Sequence, residues 1–444
     1  MSEHRSSPLL NQPGDVRLRE MSAQGFQDGA GKDHIADGTQ PDDQDASWGD
    51  ASEQILFAAD SHHAGCHHAG YDGRRIALLA ASYGDGGVER MLVHTANGLA
   101  ALGIGVDFLL GARDRPFVDD LHQDVRLIQL PNEGHKARLD TLSAYLHDTP
   151  PAIILSAKLP DDRLALAALE ASKAPTRVVF RVGNPLFARN RLRSAWFWPR
   201  WRRELAIKRL YRRAHGVIAV APALACELHC ELGNAVPVVT LPNPTIGPAL
   251  AGWRPGMPPH PWLAQRHIPV VMGVGGLRQQ KDFVTLLHAF ALLRREQLAR
   301  LIILGEGRQR HRLETLAQHL GAADDVLLPG FASPLYDWLG HAALFVLSSR
   351  WEGSPNTLIE ALALGCPVVA TNCPGGVADI LHHGRLAPLV PVGDPVAMAQ
   401  AMAATLQQPG EAARRQQAAA GFTASRSAAA YARALGLVPK TAPS

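Results

Sequence analysis

Apolar and polar positions divide the chain into a polar opening stretch followed by two long blocks of regular alternation. Residues 1–72 are rich in Gly, Asp, Gln, Ser and His with almost no apolar periodicity, so they cannot bury enough surface to offset their ordering entropy. That stretch is expected to be a disordered tail. Periodicity begins at "RRIALLAAS" (74–82), an apolar run that leads through "YGDGGVER" into the helically spaced "MLVHTANGLAALG" and then "VDFLLG". Strand, glycine loop, helix and strand in that order mark a βαβ unit of a parallel sheet. The pattern recurs in "AIILSA" (152–157), "DRLALAALEAS", "RVVFRV" (177–182), "GVIAVAP" and "PVVTLPN", outlining one Rossmann-like domain over 73–244.

Pro and Gly then crowd "PNPTIGPALAGWRPGMPPHPW", which cannot sustain a helix or a central strand, and 245–268 is expected to be a linker. Alternation restarts with "PVVMGVGGL" (269–277) and continues through "DFVTLLHAFALLRRE", "RLIILGEG" (300–307), "HRLETLAQHLG", "DVLLPG", "PLYDWLGHA", "LFVLSS" (344–349), the helical part of "RWEGSPNTLIEALALG" (350–365) and "PVVAT" (367–371). A second domain over 269–410 follows, and 411–444 closes the chain. The fold class is α/β: two facing, doubly wound Rossmann-like domains with parallel sheets and a cleft between them.

Composition narrows the setting. A chain of 444 residues, 46% hydrophobic and 19% charged, exceeds one ordinary core and fits two globular domains. No apolar run reaches membrane-spanning length and the start lacks a signal-peptide core, so a cytoplasmic location is expected. The five cysteines form no zinc spacing, in keeping with free thiols in a reducing compartment. Net charge is +3, but 1–70 carries 12 acidic against 4 basic residues, which leaves +11 on the rest. The tail's "HHAGCHHAG" (62–70) is too crowded for standard zinc geometry and is read as incidental.

Ligands in such sheets bind beyond the carboxyl ends of the strands, where glycine turns admit phosphate to backbone N–H groups. Three glycine turns stand there: "GDGG" (84–87), "GVGG" (273–276) and "GEG" (305–307), each equally readable as a plain tight turn. GxGxxG fails twice, at Glu89 and at Arg278, and no GxxxxGK[ST] loop exists, which argues against nicotinamide or ATP-hydrolysing chemistry. Arg278 and Lys281 in "LRQQKD" follow a strand and a glycine turn, where cations would meet a diphosphate. In "RWEGSPNTLIEALALG", Ser354 is expected to cap a helix whose first residue is Pro355, with Gly365 near its end. Asn356, Thr357 and Glu360 then share one face, while Leu358, Ile359 and Leu362 face the sheet. Glu360 leans back toward the space that Glu352 enters from the loop, and the helix N-terminus between them favours an anion. A nucleotide-diphosphate sugar satisfies all of these groups together.

"SRWEGSPNTLIEALALGCPVVATNCPGG" resembles the E-x7-E block of the retaining glycosyltransferases with the GT-B fold, in glycosyltransferase family 4, the glycosyl transferases group 1. "GGVERMLVHTANGLAALG", "RAHGVIAVAPALACEL", "LPNP", "LRQQKDF", "LIILGEG" and "LPGF" follow in family order over 74–435. The resemblance implies that Glu352 contacts the donor sugar, Glu360 holds the ribose hydroxyls and Lys281 neutralises the diphosphate. It implies that Gly86 and Gly87 close over the phosphates, that Gly305, Glu306 and the Leu328–Phe331 stretch line the donor site, and that a helix at 411–436 crosses back to the first domain. Its mechanism is same-face departure of the nucleotide diphosphate with attack by the acceptor, without a metal or other cofactor. This chain departs from the pattern at Gly276, where the family has Arg and Arg278 is the nearest substitute. It also has Arg181 or Asn184 near the usual histidine, and Asp379 in place of Glu.

"RNRLRSAWFWPRWRRELAIKRLYRR" (189–213) holds ten Lys and Arg together with Trp196, Phe197, Trp198 and Trp201. Such a mixture suits an anionic membrane surface at the inner face, where a glycan or lipid-linked acceptor would be met, and equally suits an ordinary solvated helix. No nucleic-acid motif accompanies it, so no nucleic acid is expected as a partner. The rival functions are a nucleotide-sugar epimerase or phosphorylase on the same scaffold, or a non-catalytic binding protein.

Overall fold

The computed structural model describes residues 56–57, 72–83, 86–111, 117–132, 134–193 and 197–437. Most of 1–72, including "HHAGCHHAG", lies outside the described residues, as do Gly84 and Trp196. The first sheet is built from β1 (Asp72–Ala80), β2 (Gly105–Leu110), β3 (Val125–Gln129), β4 (Pro151–Ser156), β5 (Arg177–Val182), β6 (Gly216–Ala219) and β7 (Val238–Thr240). Its seven strands run parallel in the order β3-β2-β1-β4-β5-β6-β7. The second contains β8 (Val270–Val274), β9 (Arg300–Leu304), β10 (Val326–Gly330), β11 (Leu344–Leu347), β12 (Val368–Thr371) and β13 (Leu389–Val390). Its six strands are also parallel, in the order β10-β9-β8-β11-β12-β13. The fold is the expected pair of Rossmann-like sheets.

Continuous apolar runs become strands here because both faces of each sheet are covered. Along β1, Ala77 and Leu79 enter one core cluster and Ile76, Leu78 and Ala80 enter the other, as a side-chain period of two requires. β8 does the same, with Val271 on one side and Val270, Met272 and Val274 on the other. Two strands are absent from the sequence reading. β3 is half buried on the sheet edge, and β13 is only two residues long, so neither writes a long apolar run.

Three expectations are revised. The single helix foreseen over 411–436 is two helices, Ala412–Ala419 and Ala424–Ala434, separated by a 3-10 turn. The break occurs because Ile246 N–H donates to the Phe422 carbonyl (2.9 Å) and the Ile246 carbonyl accepts from Ala424 N–H (2.9 Å), which takes those groups out of the helical ladder. The first helix packs on Asn356–Ala363 in the second domain and the other on Gly87–Ala101 in the first, so the chain does cross back. The linker is not helix-free either: Pro248–Ala251 and Pro261–Ala264 are single turns with proline at the first position, where its missing N–H costs nothing. Finally, Leu56 and Phe57, inside the expected tail, are packed against the first domain. Their N–H groups donate to the Ala434 carbonyl, Leu56 is buried, and the Arg177 guanidinium lies 4.5 Å from the Phe57 ring centre.

Candidate functional site

In the second sheet the strand order reverses between β8 and β11, and the loops that leave those two strands carry Lys281 and Glu352. A ligand crevice opens at such a reversal. Lys281 Nζ lies 2.6 Å from Glu352 Oε1, and Ser349 Oγ donates to the same oxygen at 2.6 Å. Both loops are braced: Arg350 N–H donates to the Gln280 carbonyl (2.7 Å), Ser348 Oγ to the Lys281 carbonyl (2.7 Å), and Glu352 N–H to the Pro374 carbonyl (3.1 Å). The Glu352 carboxylate is therefore buried and already paired with a cation.

The helix Asn356–Ala363 follows. Leu358, Ile359 and Leu362 are fully buried in the core and Glu360 lies on the other side, as their spacing predicts. The capping expectation is corrected: Pro355, extended at φ −70° and ψ 106°, is the N-cap residue, and no side chain caps the helix. Ser354 stands one position too early, its carbonyl accepts from Asn243 Nδ2 (3.2 Å), and its buried Oγ has no partner. Thr357 Oγ1 is likewise buried and unpartnered. In the first turn, Leu358 and Ile359 N–H both donate to the Pro355 carbonyl (3.1 and 3.3 Å).

The first domain reaches this helix directly. Arg90, on Gly87–Ala101, forms an ion pair with Glu360, which is 0% exposed. Burial pushes the Glu360 carboxyl up from its ordinary value, and the Arg90 charge opposes that shift. Asn356 Oδ1 accepts from Asn243 Nδ2 (2.8 Å) and Thr245 Oγ1 (3.1 Å), while its Nδ2 donates to the Gly87 carbonyl (3.3 Å). Gly86 N–H donates to Glu89 Oε2 (3.2 Å), so that amide serves its own helix in this structure. Arg181 is buried: its Nε donates to Tyr431 Oη (3.1 Å), it bonds Asn243 Oδ1, and its second terminal nitrogen is unpartnered. A side chain at Gly353 would overlap the Gly183 carbonyl, and Asp379 Oδ2 accepts from Ala223 N–H (3.0 Å), so the domains are in contact on this side.

Gly276 is where the sequence departs from the family pattern, and the structure supplies a neighbour for it. A Cβ built on Gly276 would lie 2.9 Å from Arg278 Nε, so the Arg278 side chain folds back over the space that a residue at 276 would use. Gly305 and Glu306 make contacts within the second domain. Gly305 N–H donates to the Gly330 carbonyl (2.7 Å), and its φ of +135° brings its backbone against the Gly275 carbonyl where no side chain fits. Glu306 is ion-paired with Arg310. Phe331, 72% exposed, follows β10 at the rim of the same sheet end.

Arg90, Asn243, Gln280 and Tyr431 were not legible in the sequence as site residues. Their partners lie far along the chain, and only the "VER" beside the glycine turn and the "LPNP" block could have drawn attention to two of them. Among the described residues no group of three His, Cys, Asp or Glu side chains is gathered where it could hold a metal ion. The four described cysteines are free thiols, and burial pushes Cys366 and Cys373 up to about 12, which keeps both protonated.

Two parallel Rossmann-like sheets, with a paired Lys and Glu at the switch point and a second Glu on the following helix, define the GT-B class of glycosyltransferases. The chain belongs to the glycosyl transferases group 1: that family model matches residues 268–408, and a glycosyl transferase 4-like domain matches 86–244. An uncharacterized glycosyltransferase of Haemophilus influenzae is 25% identical over 325 residues, 70% of this chain and 84% of the relative. The N-acetylgalactosamine-N,N'-diacetylbacillosaminyl-diphospho-undecaprenol 4-alpha-N-acetylgalactosaminyltransferase of Campylobacter jejuni is 32% identical over 137 residues, 31% of this chain and 37% of that one. The chain spans only 28% to 38% of the length of the first curated relatives it matches. Among solved structures, sucrose-phosphate synthase from Thermosynechococcus elongatus superposes with a TM-score of 0.65 at 21% identity, covering 82% of this chain and 96% of that one. The Anabaena protein HepE, in complex with UDP-glucose, has a TM-score of 0.62 at 19% identity, covering 81% and 95%.

Proposed function

We propose that this chain is a retaining, metal-independent hexosyltransferase that moves a hexose or N-acetylhexosamine from a nucleotide-diphosphate sugar to a glycan or lipid-linked hydroxyl. The setting is cell-surface polysaccharide or glycolipid synthesis at the cytoplasmic side of the membrane. The observation that carries the reading is the Lys281–Glu352 pair at the switch point of the second sheet. A UDP-sugar is the preferred donor, because a neighbour of the same fold is in complex with UDP-glucose. A lipid-linked acceptor is supported by the name of the Campylobacter jejuni relative.

In this mechanism the diphosphate lies between Lys281, Arg278 and the uncapped start of Asn356–Ala363, and Glu352 orients sugar hydroxyls. The bond from the anomeric carbon to the diphosphate oxygen breaks, and the acceptor oxygen bonds to that carbon on the same face. The acceptor proton goes to the departing phosphate. Lys281, Arg278 and the helix end stabilise, from fixed positions, the negative charge that develops there. Gly86 and Gly87 approach the same space from the first domain.

A thermal-shift screen against UDP-, GDP- and ADP-sugars identifies the donor, since a ligand at 100 times its dissociation constant stabilises by about 2.7 kcal/mol. With that donor, Glu352→Gln and Lys281→Ala are each expected to lower transfer at least about tenfold, or ~1.4 kcal/mol in the transition state. Activity within about twofold of the parent for both variants would overturn the assignment.

A further inference from the structure

The Arg90–Glu360 pair is incomplete. Arginine and carboxylate ordinarily meet as a two-bond fork. Here one guanidinium nitrogen engages Oε1, while Arg90 Nε and Glu360 Oε2 are both buried and have no partner. Nε shares its carbon with the engaged nitrogen, and Oε2 shares its carbon with Oε1, so an unused donor and an unused acceptor flank one contact. A buried pair left in this state is costly, because each desolvated group loses water and gains nothing in return.

The chemistry of the two unused atoms selects what would complete them. A hydroxyl donates to Oε2 and accepts from Nε at the same time. A phosphate would be repelled by the carboxylate, and an apolar ring face would leave both atoms unsatisfied. Ser354 Oγ and Thr357 Oγ1, on the approach to the same helix and on its first turn, are two further buried atoms without partners. Arg90 comes from the first domain, 270 positions away in sequence, so this end of the pocket has one wall from each domain.

We propose that Arg90 is a donor-binding residue: it completes the ribose end of the pocket from the opposite domain, with a ribose hydroxyl donating to Glu360 Oε2 and accepting from Arg90 Nε. This inference rests on the nucleotide-sugar reading above. Ribose binding then requires both domains at once. A nucleotide lacking that hydroxyl leaves Glu360 Oε2 and Arg90 Nε without a partner and should bind more weakly.

Calorimetric titration of the full chain with UDP, GDP and ADP, each beside its 2'-deoxy and 3'-deoxy counterpart, tests the proposal. The parent is expected to prefer the ribonucleotide by about tenfold over at least one deoxy form, a difference of ~1.4 kcal/mol. Arg90→Lys keeps the positive charge opposite Glu360 but removes Nε; it should fold, and should reduce the preference to within about twofold while leaving affinity for the deoxy form nearly unchanged. Arg90→Ala with Glu360→Gln, which removes both charges together, should lose the preference as well. If Arg90→Lys weakens ribo- and deoxyribonucleotides equally and keeps the parental ratio, Arg90 is a brace between domains and the proposal is wrong. If the parent binds no nucleotide of any base, the proposed function itself fails and takes this inference with it.

Discussion

Gly276 and Arg278 stand just past β8, beside the position proposed for the diphosphate. By sequence, the usual arginine beside the diphosphate is missing and its substitute starts two positions later. In three dimensions the Arg278 side chain lies over Gly276, with Nε 2.9 Å from the position of an added Cβ. Backbone origin matters less than where a flexible guanidinium ends. Arg278→Ala is accordingly expected to lower transfer by about tenfold, and adding Gly276→Arg in that background should restore a substantial part of it, because the new side chain starts beside the vacated space. Transfer assays on the single and double variants, with circular dichroism to verify folding, decide this. No recovery in a folded double variant would mean that Arg278 acts from its own position. Glu352, Glu360 and Lys281 were legible because glycine turns and helix spacing mark them locally. Arg90 was not, because its significance arises only when Glu360, on another domain, is brought against it.

Among the helices, Leu159–Ser172 carries an acidic pair, Asp161 and Asp162, in its first turn. Asp161 accepts from Ser82 N–H (3.0 Å), and Asp162 accepts from Ser156 Oγ (2.6 Å) and Tyr211 Oη (3.2 Å). Burial pushes Asp162 up to about 7 and Asp161 to about 6, against hydrogen bonds that favour the ionised forms. Both folded values exceed the ordinary 3.8, so the folded state holds protons that the unfolded chain releases. Stability from this pair is therefore greatest below that ordinary value and is lost as pH rises through the folded values. Asp162→Asn should flatten the fall in thermal stability between about pH 4 and pH 8 by an amount on the order of a few kcal/mol. Melting curves of parent and variant across that range measure it, and an unchanged slope would remove Asp162 as the cause. The helix Asn356–Ala363 gives the complementary lesson: its apolar face was readable from spacing, but its cap was not. Pro355 takes an extended conformation, which shifts the start by one residue.

At the scale of the whole molecule, the first domain presents exposed aromatic rings on one helix. On Phe197–Tyr211, Trp198 is 72% and Trp201 47% exposed, with their rings edge to face at 6.2 Å. Much of the nearby charge is already paired, Arg191 with Glu231 and Lys208 with Glu231 at 2.8 Å, so the exposed rings are the more distinctive feature. Among the described residues no helix is long and apolar enough to cross a membrane. If the segment docks on a membrane surface, the chain should float with vesicles of phosphatidylcholine and phosphatidylglycerol, and Trp198→Ala with Trp201→Ala should abolish flotation. Binding unaffected by the double variant would assign these rings to another role. What the sequence determined by itself was the order of the long strands and the helices beside them, because apolar runs, glycine turns and helical spacing are local; β3, half exposed on the sheet edge, and β13, two residues long, write no such run. It also marked Glu352, Glu360 and Lys281, which sit on short loops and one helix whose periodicity can be counted. Tertiary structure alone decided which groups meet: Arg90 with Glu360, Asn243 with Asn356, Arg278 over Gly276, and Leu56 against the first domain. Apart from Arg278 over Gly276, those contacts join residues far apart in the chain. Their free energy depends on desolvation and on unfilled hydrogen-bonding atoms at the seam between domains, and neither quantity is written in local spacing.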